Sequence, residues 1–256
     1  GKESTALGFI AGFTGYFIRE ELKKRGIASN LVETEGFTRI NIKLTTETET
    51  EINSQSSKVS KENIKDFFAS LDGLSAEDTV FLSGNIIAGM EPCDFVGIAK
   101  KVRQKGAKSV VDSNKDMVLN TLEYEPFVVK PNEFELGEMF GVTINNIEDI
   151  EKYARKLQEK GAKNVLVSRG SKGAALFTED GKVFSAGTAK GKVVSTVAAG
   201  DSMLAMFVAK YDETKDYALS LQYASAAGGA TSFSAGVGKK ELIEELLPQI
   251  KVERTK

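Results

Sequence analysis

The spacing of apolar positions along the chain changes repeatedly, and the changes predict alternating strands and helices. Ala6–Ile10 is short and apolar; glycines follow, then a helix-like run, Tyr16–Arg25, that stops at Gly26. Ser60 is placed to cap a helix whose residues Ile64, Phe67, Phe68 and Leu71 fall at i, i+3, i+4 and i+7. Thr79–Leu82 reads as a buried strand. Phe95, Ile98, Ala99 and Val102 repeat the helical spacing, as do Ile150, Tyr153, Ala154 and Leu157. Two exits look alike. Lys105-Gly106-Ala107-Lys108 leads into Ser109–Val111, and Lys160-Gly161-Ala162-Lys163 leads into Asn164–Val167. A cationic last turn and a glycine tolerant of left-handed φ end each helix before a β-branched strand.

Repeated β-α units imply a parallel sheet with helices on both faces, because parallel strands need crossovers. Thr38–Glu51 departs from that pattern: it alternates with period two and continues in polar Thr and Glu residues. It predicts antiparallel strand with one wet face, outside the main sheet. Ala174–Thr178 and Val183–Ala186 read as a hairpin. With no linker or low-complexity stretch, the expectation is one main α/β body, residues 1–36 and 53–256, with a β excursion at 37–52.

Composition narrows the chemistry. Of 256 residues, 41% are apolar, enough for one large core; 34 basic and 36 acidic side chains leave a net charge of −2. That balance predicts neither a nucleic-acid partner nor an anionic membrane surface. No apolar run approaches the roughly 18 residues of a membrane helix, and the first residues carry no signal-peptide apolar core. The single cysteine, Cys93, excludes an intrachain disulfide and a Cys-rich zinc site, and fits a reducing cytoplasm. The chain has no histidine. Imidazole bases, imidazole metal sites and His-dependent nucleophiles are therefore excluded. Carboxylate proton abstraction and phosphoryl transfer remain.

Val197-Ala198-Ala199-Gly200-Asp201-Ser202, entering a helix-like run, is the strongest candidate site. Small residues at a helix start let backbone amides converge on an anion, which the helix dipole also favours. Asp201 there is either a helix cap or a base beside a bound phosphate. Ser168-Arg169-Gly170-Ser171-Lys172-Gly173, after a strand, reads either as a nucleotide-contacting loop or as a plain turn, and lacks Walker A spacing. After the strand Phe127–Val129, Lys130-Pro131-Asn132-Glu133-Phe134-Glu135 offers a capping box from Asn132 and Glu135, or a pair that orders a hydrated cation. Arg39, Asn41 and Lys43 share one face of the alternating segment, either solvated or anion-binding. Ser83 and Gly84 end a further strand, where α/β proteins gather ligands. Gly8–Gly15 with Glu33 is a distant version of a dinucleotide-binding unit, without its G-x-G-x-x-G.

Taken in order, Gly-Phe-Thr-Gly, Thr-Arg-Ile-Asn-Ile-Lys, Leu-Ser-Gly, Lys-Pro-Asn-x-x-Glu, Ser-Arg-Gly-x-x-Gly and Ala-Ala-Gly-Asp-Ser resemble the ribokinase-like sugar kinases of the phosphofructokinase-B type. Within them the chain is most similar to the 1-phosphofructokinases, then to tagatose-6-phosphate kinases. The resemblance implies a three-layer α/β/α fold with a mainly parallel sheet and a small β lid. It also implies ATP and Mg2+, and phosphorylation of a ketose phosphate, fructose 1-phosphate first among them. A non-catalytic nucleotide or sugar-phosphate binder is the alternative.

In that likeness Asp201 matches the catalytic base, and Ala198, Ala199 and Gly200 the anion-hole turn. Asn132 and Glu135 match the element that orders magnesium through water, while Lys130 and Ser168–Gly173 match nucleotide-side positions. Arg39, with Asn41 beside it, matches the grip on the substrate's existing phosphate; Ser83 and Gly84 lie where the family contacts sugar. The lid implies a homodimer. Ser195 stands where the family usually has Asn or Asp, and Ser-Gly-Asn-Ile-Ile-Ala-Gly replaces its usual sugar-side loop. The resemblance begins part-way into the family pattern. The family's first strand, part of the lid, an acceptor-binding Asp and a Gly-Gly-Lys-Gly segment are expected ahead of Gly1.

Overall fold

The computed structural model describes residues 2–45, 49–55 and 57–255. They form two compact units, the first from Gly1–Asp78 and Asn85–Ala107, the second from Thr79–Gly84 and Lys108–Lys256. The first unit thus holds both residues 1–36 and the excursion at 37–52.

In the first unit, β1 (Thr5–Ile10) and β2 (Ala28–Glu33) pair in parallel, with α1 (Gly12–Lys24) as their crossover. The helix begins four residues before the expected Tyr16, because the glycines are packing sites inside it. A methyl on Gly15 would lie 2.8 Å from both Ile10 Cβ and Thr38 Oγ1. Thr38 binds this turn further: Ala11 N donates to Thr38 Oγ1 at 2.8 Å, and Thr14 Oγ1 to Thr38 O at 2.8 Å. Glu33 pairs with Arg19 at 2.6 Å. The glycine motif and its acid are therefore accounted for by packing and an ion pair.

β3 (Asn41–Thr45) and β4 (Glu49–Asn53) form a separate antiparallel hairpin, with Ile42 opposite Ile52. It begins later than the alternation suggested, since Thr38 is drawn onto α1 and Ile40 is held by the Ser54 hydroxyl, which accepts from its N–H at 3.1 Å. Arg39 consequently precedes the strand and is exposed. Residues 46–48 and the Lys43 side chain lie outside the described residues.

α2 (Lys61–Ala69) is capped as expected: Ser60 Oγ accepts from Asn63 N at 3.1 Å. On α3 (Pro92–Gln104) the four residues spaced for burial, Phe95, Ile98, Ala99 and Val102, are buried. Lys101 ties the two helices, donating to Phe68 O at 2.7 Å.

The second unit is built on a seven-stranded sheet. Its parallel half comprises β5 (Thr79–Ser83), β6 (Lys108–Asp112), β7 (Val128–Val129) and β8 (Asn164–Ser168). Antiparallel β9 (Ala174–Phe177), β10 (Val183–Ala186) and β11 (Val252–Arg254) complete it. Helices α4 (Lys115–Thr121), α5 (Glu133–Phe140), α6 (Ile147–Glu159), α7 (Ala199–Thr214), α8 (Tyr217–Ser232) and α9 (Lys240–Leu246) flank it. Consecutive buried residues, Asn164–Val167 and Ala174–Phe177, show that β8 and β9 are covered on both faces. This is the layered α/β fold with a central, mainly parallel sheet that the pattern predicted. One expectation fails within it: Thr79–Leu82 is not a buried strand. Leu82 is buried but Phe81 is 42% exposed, because β5 is the edge strand of this sheet. Gly106 and Gly161 do take the left-handed φ expected at the two helix exits, 74° and 127°.

Candidate active site

The parallel strands of the second unit all point their carboxyl ends to one edge, where such sheets bind ligands. β5 ends in Ser83, β6 in Asp112, β8 in Ser168, and Lys130 follows β7 directly. The register places Ser83 opposite Asp112, and Gly84 N donates to Asp112 O at 3.2 Å.

The turn entering α7 is strained in a particular way. Ala198 is the N-cap residue and lies at φ 61°, ψ 8°, a left-handed conformation that costs a residue with a Cβ about 1–2 kcal/mol. Among the described residues, no side chain caps this helix. Asp201 is not the cap: it stands at the third helical position with its carboxylate exposed. Ser202 N makes the first helical bond, to Ala198 O at 2.9 Å. The Ala199 amide reaches back to Thr196 O at 3.3 Å, while those of Gly200 and Asp201 precede any intrahelical acceptor. Such amides at a helix start are a ready anion site. Gly200 leaves room for a cation as well, since a methyl there would lie 3.0 Å from Lys130 Nζ.

Lys130 is buried, and its ammonium pairs with Asp112 Oδ2 at 3.1 Å. Asp112 was not singled out by the sequence reading. The signal was present, an acid closing the β-branched run Ser109–Val111. Burial pushes its carboxyl above the ordinary value; Lys130 pulls the other way, and the like charges of Asp201 and Glu135 add to the rise. Asp201 and Glu135 thus lie close enough to Asp112 at this edge to interact with it, with the Lys130 ammonium on Asp112.

Asn132 and Glu135 form a capping box at α5. Asn132 Oδ1 accepts from Glu135 N at 2.8 Å, and Glu135 Oε2 accepts from Asn132 N at 2.8 Å. Among the described residues, no three acidic or cysteine side chains converge as direct ligands of a metal ion. The Ser168–Gly173 segment is a tight 3-10 turn closed by Arg169 N to Gly173 O at 2.9 Å. Its two cations already have a partner that sequence reading overlooked. Glu133 accepts from Arg169 Nε at 2.9 Å and from Lys172 Nζ at 3.4 Å. Burial raises the Glu133 carboxyl, but those two cations outweigh it and hold the group below the usual range.

The second unit therefore brings together Ser83, Gly84, Lys130, Asn132, Glu135 and the Ala198–Asp201 turn along one sheet edge, with Ser168–Gly173 bound to the same α5 start. Arg39 and Asn41 belong to the first unit, and both are exposed.

A profile of the pfkB family carbohydrate kinases matches residues 1–243. The chain belongs to this family. A 1-phosphofructokinase of Bacillus subtilis is 39% identical over 251 residues, covering 98% of this chain and 82% of its own. A D-tagatose-1-phosphate kinase of Bacillus licheniformis is 34% identical over 253 residues, covering 98% and 83%. Among solved structures, a candidate phosphofructokinase from Staphylococcus aureus superposes with a TM-score of 0.88 at 36% identity, covering 98% and 82%. Phosphofructokinase-2 of Escherichia coli reaches 0.91 at 21% identity, covering 97% and 83%, and speaks to the fold alone. As a pfkB member the protein is a carbohydrate kinase, and the family's phosphate donor is ATP. Among the described residues, no helix is long and apolar enough to cross a membrane.

Proposed function

We propose that the protein transfers the γ-phosphoryl group of ATP to fructose 1-phosphate, giving fructose 1,6-bisphosphate and ADP. The observation that carries this reading is the α7 turn: left-handed Ala198, bare Gly200 with the Lys130 ammonium against it, and an uncapped, exposed Asp201. Asp201 takes the acceptor hydroxyl proton as that oxygen bonds to the γ-phosphorus and the bond to the ADP oxygen breaks. Amides at Gly200 and Asp201, which precede any intrahelical acceptor, meet the charge on the phosphoryl oxygens together with Lys130, while the Ala199 amide is held by Thr196 O. Phosphoryl transfer needs positioning and charge stabilisation above all, and no histidine.

The residues also fit a magnesium ion held through water. Glu135 and Asn132 offer hard oxygen donors beside an edge where carboxylates outnumber ammonium groups, and the ion would offset phosphate charge. The Ser168–Gly173 turn is assigned to the nucleotide, Ser83 and Gly84 to the sugar, and Arg39 and Asn41 to the acceptor's phosphate. The likeness to a 1-phosphofructokinase supports fructose 1-phosphate as acceptor; the likeness to a tagatose-phosphate kinase keeps tagatose phosphates in the test. A cytoplasmic location belongs to the same reading.

ADP release should be fastest with fructose 1-phosphate among fructose 1-phosphate, fructose 6-phosphate and the two tagatose phosphates. Asp201→Asn should keep the fold and lower kcat about 100- to 10,000-fold, the usual worth of a general base. A variant turning over within twofold of wild type would remove Asp201 from the mechanism.

We further propose residues 37–52 as a lid and the β3–β4 hairpin as a homodimer face. Ile42, Leu44 and Ile52 are exposed on the paired strands and Ile40 is exposed just before them, an apolar strip. Sedimentation should give a dimer mass that Ile42→Glu reduces to a monomer; a monomeric wild type would refute the face.

A further inference from the structure

The mechanism above gives Asp112 no task, yet its geometry is closely specified. Its backbone is fixed by pairing with Ser83 on one side and, through Gly84 N, by a second hydrogen bond at 3.2 Å. Its side chain meets the Lys130 ammonium at 3.1 Å, in a place where Lys130 is buried. A lysine head sits on a flexible four-carbon stem, so its location depends on what holds it. Here the location matters: Nζ lies where a methyl on Gly200 would come within 3.0 Å. Two further carboxylates, Asp201 and Glu135, are near enough to act on the charge of Asp112. An ammonium released by Asp112 would be drawn to either, and one drawn to Asp201 would occupy the base itself.

We propose that Asp112 is a positioning residue for phosphoryl transfer, holding the Lys130 ammonium at the Gly200 corner and off the Asp201 carboxylate. This rests on the kinase reading of the site. Asp112 makes no contact with reacting atoms in this scheme; it acts through Lys130. The charge it holds meets phosphoryl oxygens during transfer, so its loss falls on kcat more than on substrate affinity.

The test is ADP release at saturating ATP for wild type, Asp112→Asn, Lys130→Met and the double variant, with melting temperatures measured alongside. Asp112→Asn should lower kcat at least tenfold and leave KM for fructose 1-phosphate within threefold. The double variant should match Lys130→Met within threefold, because the two residues act as one unit. Should Asp112→Asn fail to fold with its orphaned ammonium, the comparison of the double variant with Lys130→Met still decides, since neither strands a buried lysine charge and the acid left by Lys130→Met, already pushed up by burial, is neutralised by taking a proton. A kcat for Asp112→Asn within twofold of wild type, or a double variant a further tenfold below Lys130→Met, would overturn the proposal. Wild-type protein that releases no ADP with any sugar phosphate overturns the kinase reading and this role together. An active wild type with an indifferent Asp112 removes this role alone.

Discussion

In the second unit Phe177 and Phe207 have no exposed surface, whereas in the first Phe13 and Phe17 are 71% and 66% exposed. Both pairs are large aromatics on regular elements, so residue type does not explain the contrast. Phe177 lies on a strand covered on both faces, and Phe207 belongs to the cluster that α7 and α8 build with the sheet. Phe13 and Phe17 lie along one face of α1, which buries only Gly15 of its residues. The first unit has buried aromatics too, with Phe67 stacked on Phe9 at 5.1 Å, but its helix α1 and hairpin turn apolar faces outward. Burial here follows the number of layers around an element, not its hydrophobicity.

The sharpest probe of the close-packed unit is Gly173→Ala. Gly173 lies at φ 90°, and a methyl there would fall 1.9 Å from Ala186 O, so backbone must move. The expected cost is roughly 4 kcal/mol or more, read as a fall in the urea midpoint. A midpoint near wild type would show that the turn can swing free of β10. Next comes a matched pair. Phe207→Ala should cost about 3–5 kcal/mol, and Phe17→Ala no more than about 0.5 kcal/mol. A cost above about 1 kcal/mol for Phe17→Ala would erase the contrast and mean that α1 is covered in solution. Last is Ala198→Gly, the one change expected to stabilise. Relief of about 1–2 kcal/mol of left-handed strain, less about 0.4–1 kcal/mol of extra freedom in the unfolded chain, leaves a gain of about 0–1.6 kcal/mol. A loss of stability instead would mean that the Ala198 methyl makes contacts worth more than its strain.

The same contrast explains what was legible in the sequence. Ile150, Ala154 and Leu157 are buried as their spacing required, since α6 presents one face to a covered sheet. The capping box of Asn132 and Glu135 is purely local, so four residues suffice to read it. Phe81 misled, because a period-two or apolar run does not state whether its strand is central or at an edge. Arg39 misled for another reason: alternation continued through Thr38, which α1 had claimed. At the site, Asp201 and its small neighbours were readable from the chain, but the left-handed φ of Ala198 was not, since alanine gives no hint of it. Asp112 and Glu133 were missed because each matters through a lysine or arginine distant in sequence, brought close only by neighbouring strand ends.

The pairing of Asp112 with Lys130 spans the tips of two parallel strands, so under the proposed role strand register decides whether the ammonium is held in place. Should β6 zip up one residue out of step, every side chain on it would change faces and the acid would vanish behind the sheet. On the role proposed for Asp112, such a molecule would lose turnover much as Asp112→Asn does.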